Sequence, residues 1–384
     1  MKVVKLKIIN KKKSLLINWN NGKKTRFHSI WLRYNSNDSQ TRSKQNGQRL
    51  ITLNDIDQNI LIESAVFDKI SLKIKFSTEE RYFDFQQLWL IENIYDVEKN
   101  NKEKGWTSEY ISIWNSQFSK NFKTSEFNNL KTNKEELKKW LTSIHKYGFA
   151  KISGGPLISG SLMEIVKLFG YERSTNYGKW FDVRSEINPS NLAYTGMKLQ
   201  GHTDNPYRDP VPTLQILYCL ENSALGGNSF VTDGFNVAKR LSEEFPEGFE
   251  LLSKYPARFE FRGAEGIWLY AKKPVIELST LDELIAVRFN NRSLEPVLDV
   301  PYKHMENYYK AYRRFGELVN DPSMSISFKL EPGESFIVDN TRVLHAREAY
   351  SGNGTRWLQG CYADKDSMLS TLNSLTNFNN VEVL

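Results

Sequence analysis

The sequence predicts a mainly β fold with flanking helices: a two-sheet jelly roll over residues 131–384, preceded by a small β-rich domain over residues 1–97. Three observations carry this. Short runs alternate apolar and polar residues at period two, as in Val4-Lys5-Leu6-Lys7-Ile8 and again from Ile70 to Phe76. Thr213 to Leu220 is a nearly continuous apolar run that reads as a strand. Helical periodicity is confined to a few stretches, and a length of 384 residues exceeds what one compact domain usually needs.

In the first domain, Asn20-Asn21-Gly22 is a hairpin-type turn, and Phe27-His28-Ser29-Ile30 leads into Trp31-Leu32-Arg33. Packing, assembly or covering one end of the second domain are the roles expected of it. Residues 98–130 are polar and aromatic and read as a linker and lead-in, with Asn100-Asn101-Lys102 as the linker itself. From Asn133 to Tyr147 the pattern turns helical, with Leu137, Trp140, Leu141 and Ile144 at three- and four-residue steps. Thr132 or Asn133 caps this helix and Gly148 stops it. Phe149 to Ile152 is a strand, and Leu162 to Phe169 a second helix closed by Gly170. From Tyr194 onward strands dominate, interrupted by helices expected over Val237 to Phe245 and Met305 to Val319. Glu331-Pro332-Gly333-Glu334 turns the chain into a strand from Ser335 to Asp339, and Arg356 to Tyr362 is the last strand. No internal repeat or low-complexity tract is evident.

Composition narrows the function classes. The net charge is +7, but 52 Lys and Arg are scattered among 45 acidic residues, and the one dense basic run is Lys11 to Lys13. A solvated lysine-rich surface accounts for this better than nucleic-acid binding, and no nucleic-acid motif is present. The two cysteines, Cys219 and Cys361, form no disulfide framework and fit a reducing compartment. No stretch approaches the roughly 20 apolar residues of a membrane span. The N-terminus alternates Lys with Val, Leu and Ile and lacks the continuous apolar region of a signal peptide. The expectation is a soluble cytoplasmic protein with a small-molecule ligand, no membrane and no nucleic acid.

The chemistry concentrates in Gly201-His202-Thr203-Asp204 and Val343-Leu344-His345-Ala346-Arg347. His202 and Asp204 are two apart, so on an extended strand or its end both leave one face. His345 comes from another strand, shortly after the run 335–339, at the edge where a barrel mouth would be. Two imidazoles and one carboxylate on one face of a metal leave the other face open, which suits non-haem Fe(II) handling O2. Taken alone, a His-x-Asp also fits an ordinary turn. Arg356 lies eleven residues beyond His345 on the following strand; its planar cation suits a carboxylate, although a lone strand arginine often faces solvent.

Eight stretches together resemble a known family: Trp31-Leu32-Arg33, Tyr147-Gly148-Phe149, Asn191-Leu192-Ala193-Tyr194-Thr195, Gly201-His202-Thr203-Asp204, Gly226-Gly227-Asn228-Ser229, Asp233-Gly234-Phe235, Asp339 through His345, and Gly360-Cys361-Tyr362-Ala363-Asp364. They run in order over nearly the whole chain. The sequence is similar to the gamma-butyrobetaine hydroxylase and trimethyllysine hydroxylase family, within the taurine-dioxygenase-like group of Fe(II)- and 2-oxoglutarate-dependent oxygenases. The resemblance implies a double-stranded β-helix, Fe(II) on His202, Asp204 and His345, and 2-oxoglutarate paired to Arg356. It also implies O2 as cosubstrate, ascorbate as reductant, a homodimer, and no catalytic side chain beyond the metal ligands.

The same resemblance places Tyr177, Tyr194 and Tyr362 at positions of an aromatic cage for a quaternary ammonium, with Asn191 at the substrate's other end. It marks two departures: Phe181, with Trp180 just before it, and Asn205 stand where relatives carry cage aromatics. Tyr207 or Trp180 is the candidate compensation. A third departure is the absence of cysteine after Trp31-Leu32-Arg33, and of histidine near Arg81, where relatives hold a structural zinc; no zinc is expected here. The resulting expectation is oxidation of an unactivated C–H bond in a small cationic substrate, gamma-butyrobetaine by default. The rivals are trimethyllysine, a betaine-like phosphonate, or an amino-acid-derived biosynthetic intermediate undergoing hydroxylation, desaturation or cyclisation. A non-catalytic binding relative is the rival of a different class.

Overall fold

A computed structural model describes residues 1–96, 102–184, 196–351 and 354–377. The chain divides into two compact units, the first ending at Asn101 and the second beginning at Lys102. The predicted linker Asn100-Asn101-Lys102 lies mostly outside the described residues.

The first unit is built twice from one plan. Strands Val3–Ile9, Ser14–Trp19 and Lys24–His28 form one antiparallel meander, followed by the helix Ser29–Tyr34. Strands Ile62–Phe67, Ser71–Phe76 and Tyr82–Gln86 form a second, followed by the helix Gln87–Glu92. Alternation turns Leu15, Ile17 and Trp19 from one meander, and Leu72, Ile74 and Phe76 from the other, into one shared core. The helices match as well. Trp31 and Trp89 meet at 5.4 Å between ring centroids. Asn35 and Asn93 each donate a side-chain hydrogen bond back to the carbonyl of their tryptophan, at 2.9 and 2.8 Å. This corrects the expectation of no internal repeat: the repeat survives in a few spaced positions, Phe27, Trp31, Leu32 and Asn35 against Phe85, Trp89, Leu90 and Asn93.

The segment after Trp31-Leu32-Arg33 folds around polar groups. Asp38 accepts from Ser36 Oγ at 2.9 Å and Thr41 Oγ1 at 2.6 Å, and pairs with Arg81 at 2.8 Å. Burial alone would raise the Asp38 carboxyl, but these hydrogen bonds hold it at about 2. Arg33, 6% exposed, donates to Thr41 at 3.0 Å and pairs with Glu79.

The second unit is a double-stranded β-helix. Its larger sheet runs Thr124–Glu126, Phe149–Ser153, Ser335–Asp339, Leu214–Asn222, Arg356–Ala363 and Phe181–Val183; its smaller sheet runs Leu199–His202, Val343–Arg347, Ser229–Asp233 and Ser325–Phe328. Period-two alternation splits the larger sheet's side chains. Phe149, Cys219, Phe336, Val338 and Leu358 meet Val231, Ile326 and Val343 of the smaller sheet inside. Ala150, Ile152, Leu214, Ile216, Tyr218 and Ile337 face outward against helices that include Lys134–Tyr147 and Leu162–Lys167. Helices Gly234–Glu244, Pro246–Lys254 and Tyr302–Val319 pack a separate core that reaches Leu344.

Local signals explain the helix ends. Asn133 caps Lys134–Tyr147 through its side chain, and Gly148 ends it at φ 70°, in the left-handed region where glycine carries no Cβ penalty. Helices Pro246–Lys254 and Lys365–Asn377 were not anticipated, although Pro246 at the first helical position is a start signal. The lead-in also proves more structured than expected: a 3-10 turn spans Ser116–Lys120, and Trp114 is buried with Nε1 donating to the Tyr147 carbonyl at 2.7 Å.

One buried ion pair ties this lead-in to the sheets. Arg342 and Asp233 are 1% and 0% exposed and pair bidentately, Nε to Oδ1 at 3.0 Å and Nη2 to Oδ2 at 2.8 Å. Arg342 also donates to the carbonyls of Lys146 and Ser112, and Asp233 accepts from the backbone N–H groups of Trp114 and Phe235. Removing one partner leaves a buried charge without compensation. Arg342→Met is therefore expected to lower stability by about 3–5 kcal/mol, read as a lower denaturant midpoint at unchanged slope; an unmoved midpoint would count against the pair as the lock of this unit.

Candidate metal centre

His202 ends the strand Leu199–His202, which pairs antiparallel with Val343–Arg347 so that His202 stands directly opposite His345. Residues opposite one another on paired strands share a face, and the two rings lie 4.3 Å apart between centroids. His345 thus comes from a separate strand after Ser335–Asp339, as expected, and lies inside that strand of the smaller sheet, flanked on its other side by Val231. Asp204 follows in the loop, placed by a backbone clamp. Asn340 Oδ1 accepts the Asp204 N–H at 2.7 Å, while its Nδ2 donates to the carbonyls of Asp204 and Pro212, both at 2.9 Å. The Thr203 N–H donates to the Phe289 carbonyl at 2.8 Å, and Asn290 Nδ2 donates to the Thr203 carbonyl at 3.0 Å.

The ligand atoms of His202, Asp204 and His345 lie within 4.8 Å of one another. His202 Nδ1 is 2.7 Å from the Gln200 carbonyl, which can only accept, so Nδ1 carries the proton. In the neutral ring Nε2 then presents a lone pair, and it faces Asp204 Oδ1 at 3.3 Å. His345 Nε2 is 4.0 Å from the same oxygen. Burial, reinforced by the Arg292 charge, lowers the His202 pKa, and burial takes His345 down to about 3. Burial alone would raise the Asp204 carboxyl, but the surrounding positive field, Arg292 included, lowers it. The His202 lone pair, the second imidazole, of His345, and a carboxylate oxygen converge as a donor set for a divalent cation.

The other carboxylate oxygen is occupied. Asp204 Oδ2 accepts from Gln215 Nε2 at 2.5 Å and Tyr362 Oη at 2.8 Å. Burial pushes the Tyr362 phenol well up, so it stays a donor. Gln215 was not foreseen; its signal is a lone amide inside the apolar run, at the parity of Leu217 and not of the outward Leu214 and Ile216.

The centre opens into a cavity of about 340 Å³ lined by six phenylalanine and tyrosine rings, Tyr177, Phe181, Tyr207, Phe261, Phe336 and Tyr362. Tyr207 and Phe261 stack at 5.0 Å, and Phe181 lies 5.4 Å from Tyr362. Gly360 makes room for Phe181, whose ring would lie 2.6 Å from a Cβ at that position. Asn205 also lines the cavity. Trp180 does not line it: it is 40% exposed, lies in a bend before the strand Phe181–Val183 and has its ring beside Gly160, which corrects its assignment as a substrate contact. Asn191 and Tyr194 lie outside the described residues. Phe261, from the hairpin strand Ala257–Ala264, was missed, since nothing near it in sequence connects it to His202. His28, His145 and His304 do not line this cavity.

Arg356 lines the same cavity, buried, on the inward parity of Leu358 and Tyr362. Among the described residues its Nε and Nη1 have no hydrogen-bond partner. Burial lowers its pKa, yet a guanidinium starts so far above neutrality that it remains a cation. A buried cation with unpaired donors suits a carboxylate, such as the distal one of 2-oxoglutarate.

A double-stranded β-helix that gathers two histidines and a carboxylate at one end, with a cationic anchor along the same cavity, defines a class: the mononuclear iron oxygenases. A profile of the family described as Taurine catabolism dioxygenase TauD, TfdA family matches residues 114–362. One described as Gamma-butyrobetaine hydroxylase-like, N-terminal matches residues 6–89. The chain belongs to the TauD, TfdA family and is a dioxygenase dependent on iron and 2-oxoglutarate, with O2 as cosubstrate. It is 29% identical over 362 residues to gamma-butyrobetaine dioxygenase of Homo sapiens, covering 93% of each chain. The Pseudomonas sp. (strain AK-1) gamma-butyrobetaine dioxygenase is 29% identical over 357 residues, 93% of this chain and 92% of that one. Trimethyllysine dioxygenase of Meyerozyma guilliermondii is 29% identical over 373 residues, 94% of this chain and 92% of that one.

Outer partners of a metal-binding carboxylate fix its orientation. Gln215→Met removes one such donor at similar volume, and anaerobic calorimetric titration is expected to show divalent-metal affinity reduced by about 10–100-fold. Wild-type affinity in that variant would mean that Asp204 Oδ2 is not oriented by Gln215.

Proposed function

We propose that His202, Asp204 and His345 hold the iron, that Arg356 holds the distal carboxylate of 2-oxoglutarate, and that the substrate is a small ammonium compound oxidised at an unactivated C–H bond. The observation that carries the substrate reading is the wall of six phenylalanine and tyrosine rings in the same cavity as His202, Asp204 and His345. Aromatic faces attract cations, and the attraction grows where water is excluded. Gamma-butyrobetaine is the default substrate, because relatives 29% identical over most of the chain are gamma-butyrobetaine dioxygenases. A second reading, an amino-acid-derived ammonium, is favoured by Asn205, which puts a polar amide into the aromatic wall.

When bound, iron with 2-oxoglutarate supplies an O2-dependent oxidation of a C–H bond, coupled to decarboxylation of the 2-oxo acid to succinate. The chain's own residues position and insulate. Gln215 and Tyr362 occupy Asp204 Oδ2 and leave Oδ1 turned toward the two histidines. Arg356 sets the direction in which a dicarboxylate lies along the cavity. The aromatic rings orient the cationic head and keep water from the reacting end. A cytoplasmic location and a homodimer complete the reading; free buried Cys219 and Cys361 support the first and the family resemblance the second.

Succinate formation from 2-oxoglutarate, with Fe(II) and ascorbate, tests this against gamma-butyrobetaine, trimethyllysine, trimethylammonium phosphonates and ordinary amino acids. Stimulation by an ammonium compound, with an oxidised product by mass, is expected; stimulation only by uncharged or anionic compounds would overturn the substrate reading. Arg356→Met is expected to raise KM for 2-oxoglutarate by about 10–100-fold, since a charge-assisted hydrogen bond is lost. An unchanged KM would place the distal carboxylate elsewhere.

A further inference from the structure

We propose that Asn205 donates a hydrogen bond to a carboxylate oxygen of the substrate, so that the cavity prefers an amino-acid head group, with ammonium and carboxylate on one carbon, over an ammonium that stands alone. This rests on the reading of the site as one for a small ammonium compound and narrows it.

Asn205 directly follows Asp204, is 3% exposed and lines the cavity. Its Oδ1 accepts the Tyr207 hydroxyl at 2.8 Å. Among the described residues its Nδ2 has no hydrogen-bond partner. The backbone sits at φ 53°, in the left-handed region that asparagine, aspartate and glycine tolerate better than other residues. That backbone admits an asparagine but does not call for a buried donor left without an acceptor, which costs free energy until something supplies one.

The surroundings define the acceptor. Tyr207, bonded to Asn205, stacks on Phe261 at 5.0 Å, and both rings line the cavity. The unsatisfied donor is therefore part of the aromatic wall, where a cation is held. An ammonium has no lone pair and cannot accept from an amide N–H. The amide must answer a different group of the same molecule, an oxygen carried close to the cationic nitrogen. The charge beside Asp204 agrees with this. Arg292 lines the cavity, and its field reaches Asp204, His202 and His345. Such a field repels a lone cation and attracts a carboxylate. A zwitterion with both charges on one carbon satisfies all of these groups together: rings for the ammonium, the Asn205 donor and a positive field for the carboxylate. In gamma-butyrobetaine a methylene chain separates the two charges.

Three probes isolate the placement of the carboxylate. L-2-aminobutyrate and 4-aminobutyrate share one formula and differ in where it sits; propylamine is either of them without it. Calorimetric titration of the anaerobic enzyme loaded with Fe(II) and 2-oxoglutarate is expected to give a Kd for L-2-aminobutyrate about tenfold or more below those of the other two, as for a charge-assisted hydrogen bond. The ratio of Kd values is the readout, so a general loosening of the site cancels. Asn205→Gly suits the backbone and removes the amide; it is expected to bring both ratios toward one. Asn205→Asp keeps an acceptor for Tyr207 and loses the donor, and is expected to abolish or invert the preference. Wild-type ratios at one or reversed, or ratios that stay at the wild-type value in either variant, would overturn this inference and leave the ammonium reading standing. No binding by any of the three, nor by gamma-butyrobetaine, would sink the ammonium reading and this inference with it.

Discussion

The second unit depends on an arrangement that is unstable without a cation: a buried imidazole lone pair facing a buried carboxylate oxygen. His202 is locked in the tautomer that creates this confrontation, because its other nitrogen donates to the Gln200 carbonyl. Asp204 cannot turn away, because its second oxygen holds Gln215 and Tyr362 and its backbone is clamped by Asn340. Buried groups of this kind are costly unless paired. The site is thus prepared by the fold for a divalent ion, and its partners are distributed over both sheets.

That distribution explains the rest of the architecture. Antiparallel pairing sets His202 against His345, and period-two alternation puts Arg356 and Tyr362 on one inner face of their strand. The same alternation divides the larger sheet: its outward face packs under a helical layer, while its inner face carries apolar residues such as Phe336 and Leu358 together with the polar Gln215, Arg356 and Tyr362. Asp233 ends the smaller-sheet strand beside that of His345, and Arg342 immediately precedes the strand that carries His345, so their ion pair anchors the lead-in segment next to that histidine's strand.

Much of this was legible in the sequence. The strand Ser335–Asp339 was predicted with the bounds it has, because turn residues precede it and apolar residues fill it. His202, Asp204, His345 and Arg356 were found as a chemically coherent set, and they meet in one cavity. What escaped depends on facing and on distance. Trp180 and Phe181 are adjacent in sequence, yet Trp180 falls in the bend before the strand and only Phe181 lines the cavity. Phe261 reaches the centre only because a hairpin far along the chain folds over it. The doubled plan of the first unit was hidden because two sequences can share a fold while agreeing at only a few packing and capping positions, such as Trp31 and Trp89.

The most direct measurement is an anaerobic crystal structure with Fe(II) and 2-oxoglutarate, with iron located by its anomalous scattering. The expected result is one iron bonded to Nε2 of His202, a carboxylate oxygen of Asp204 and Nε2 of His345, with 2-oxoglutarate reaching from it to the Arg356 guanidinium. Iron bound away from these three side chains, or a 2-oxoglutarate that leaves Arg356 without a carboxylate, would contradict it.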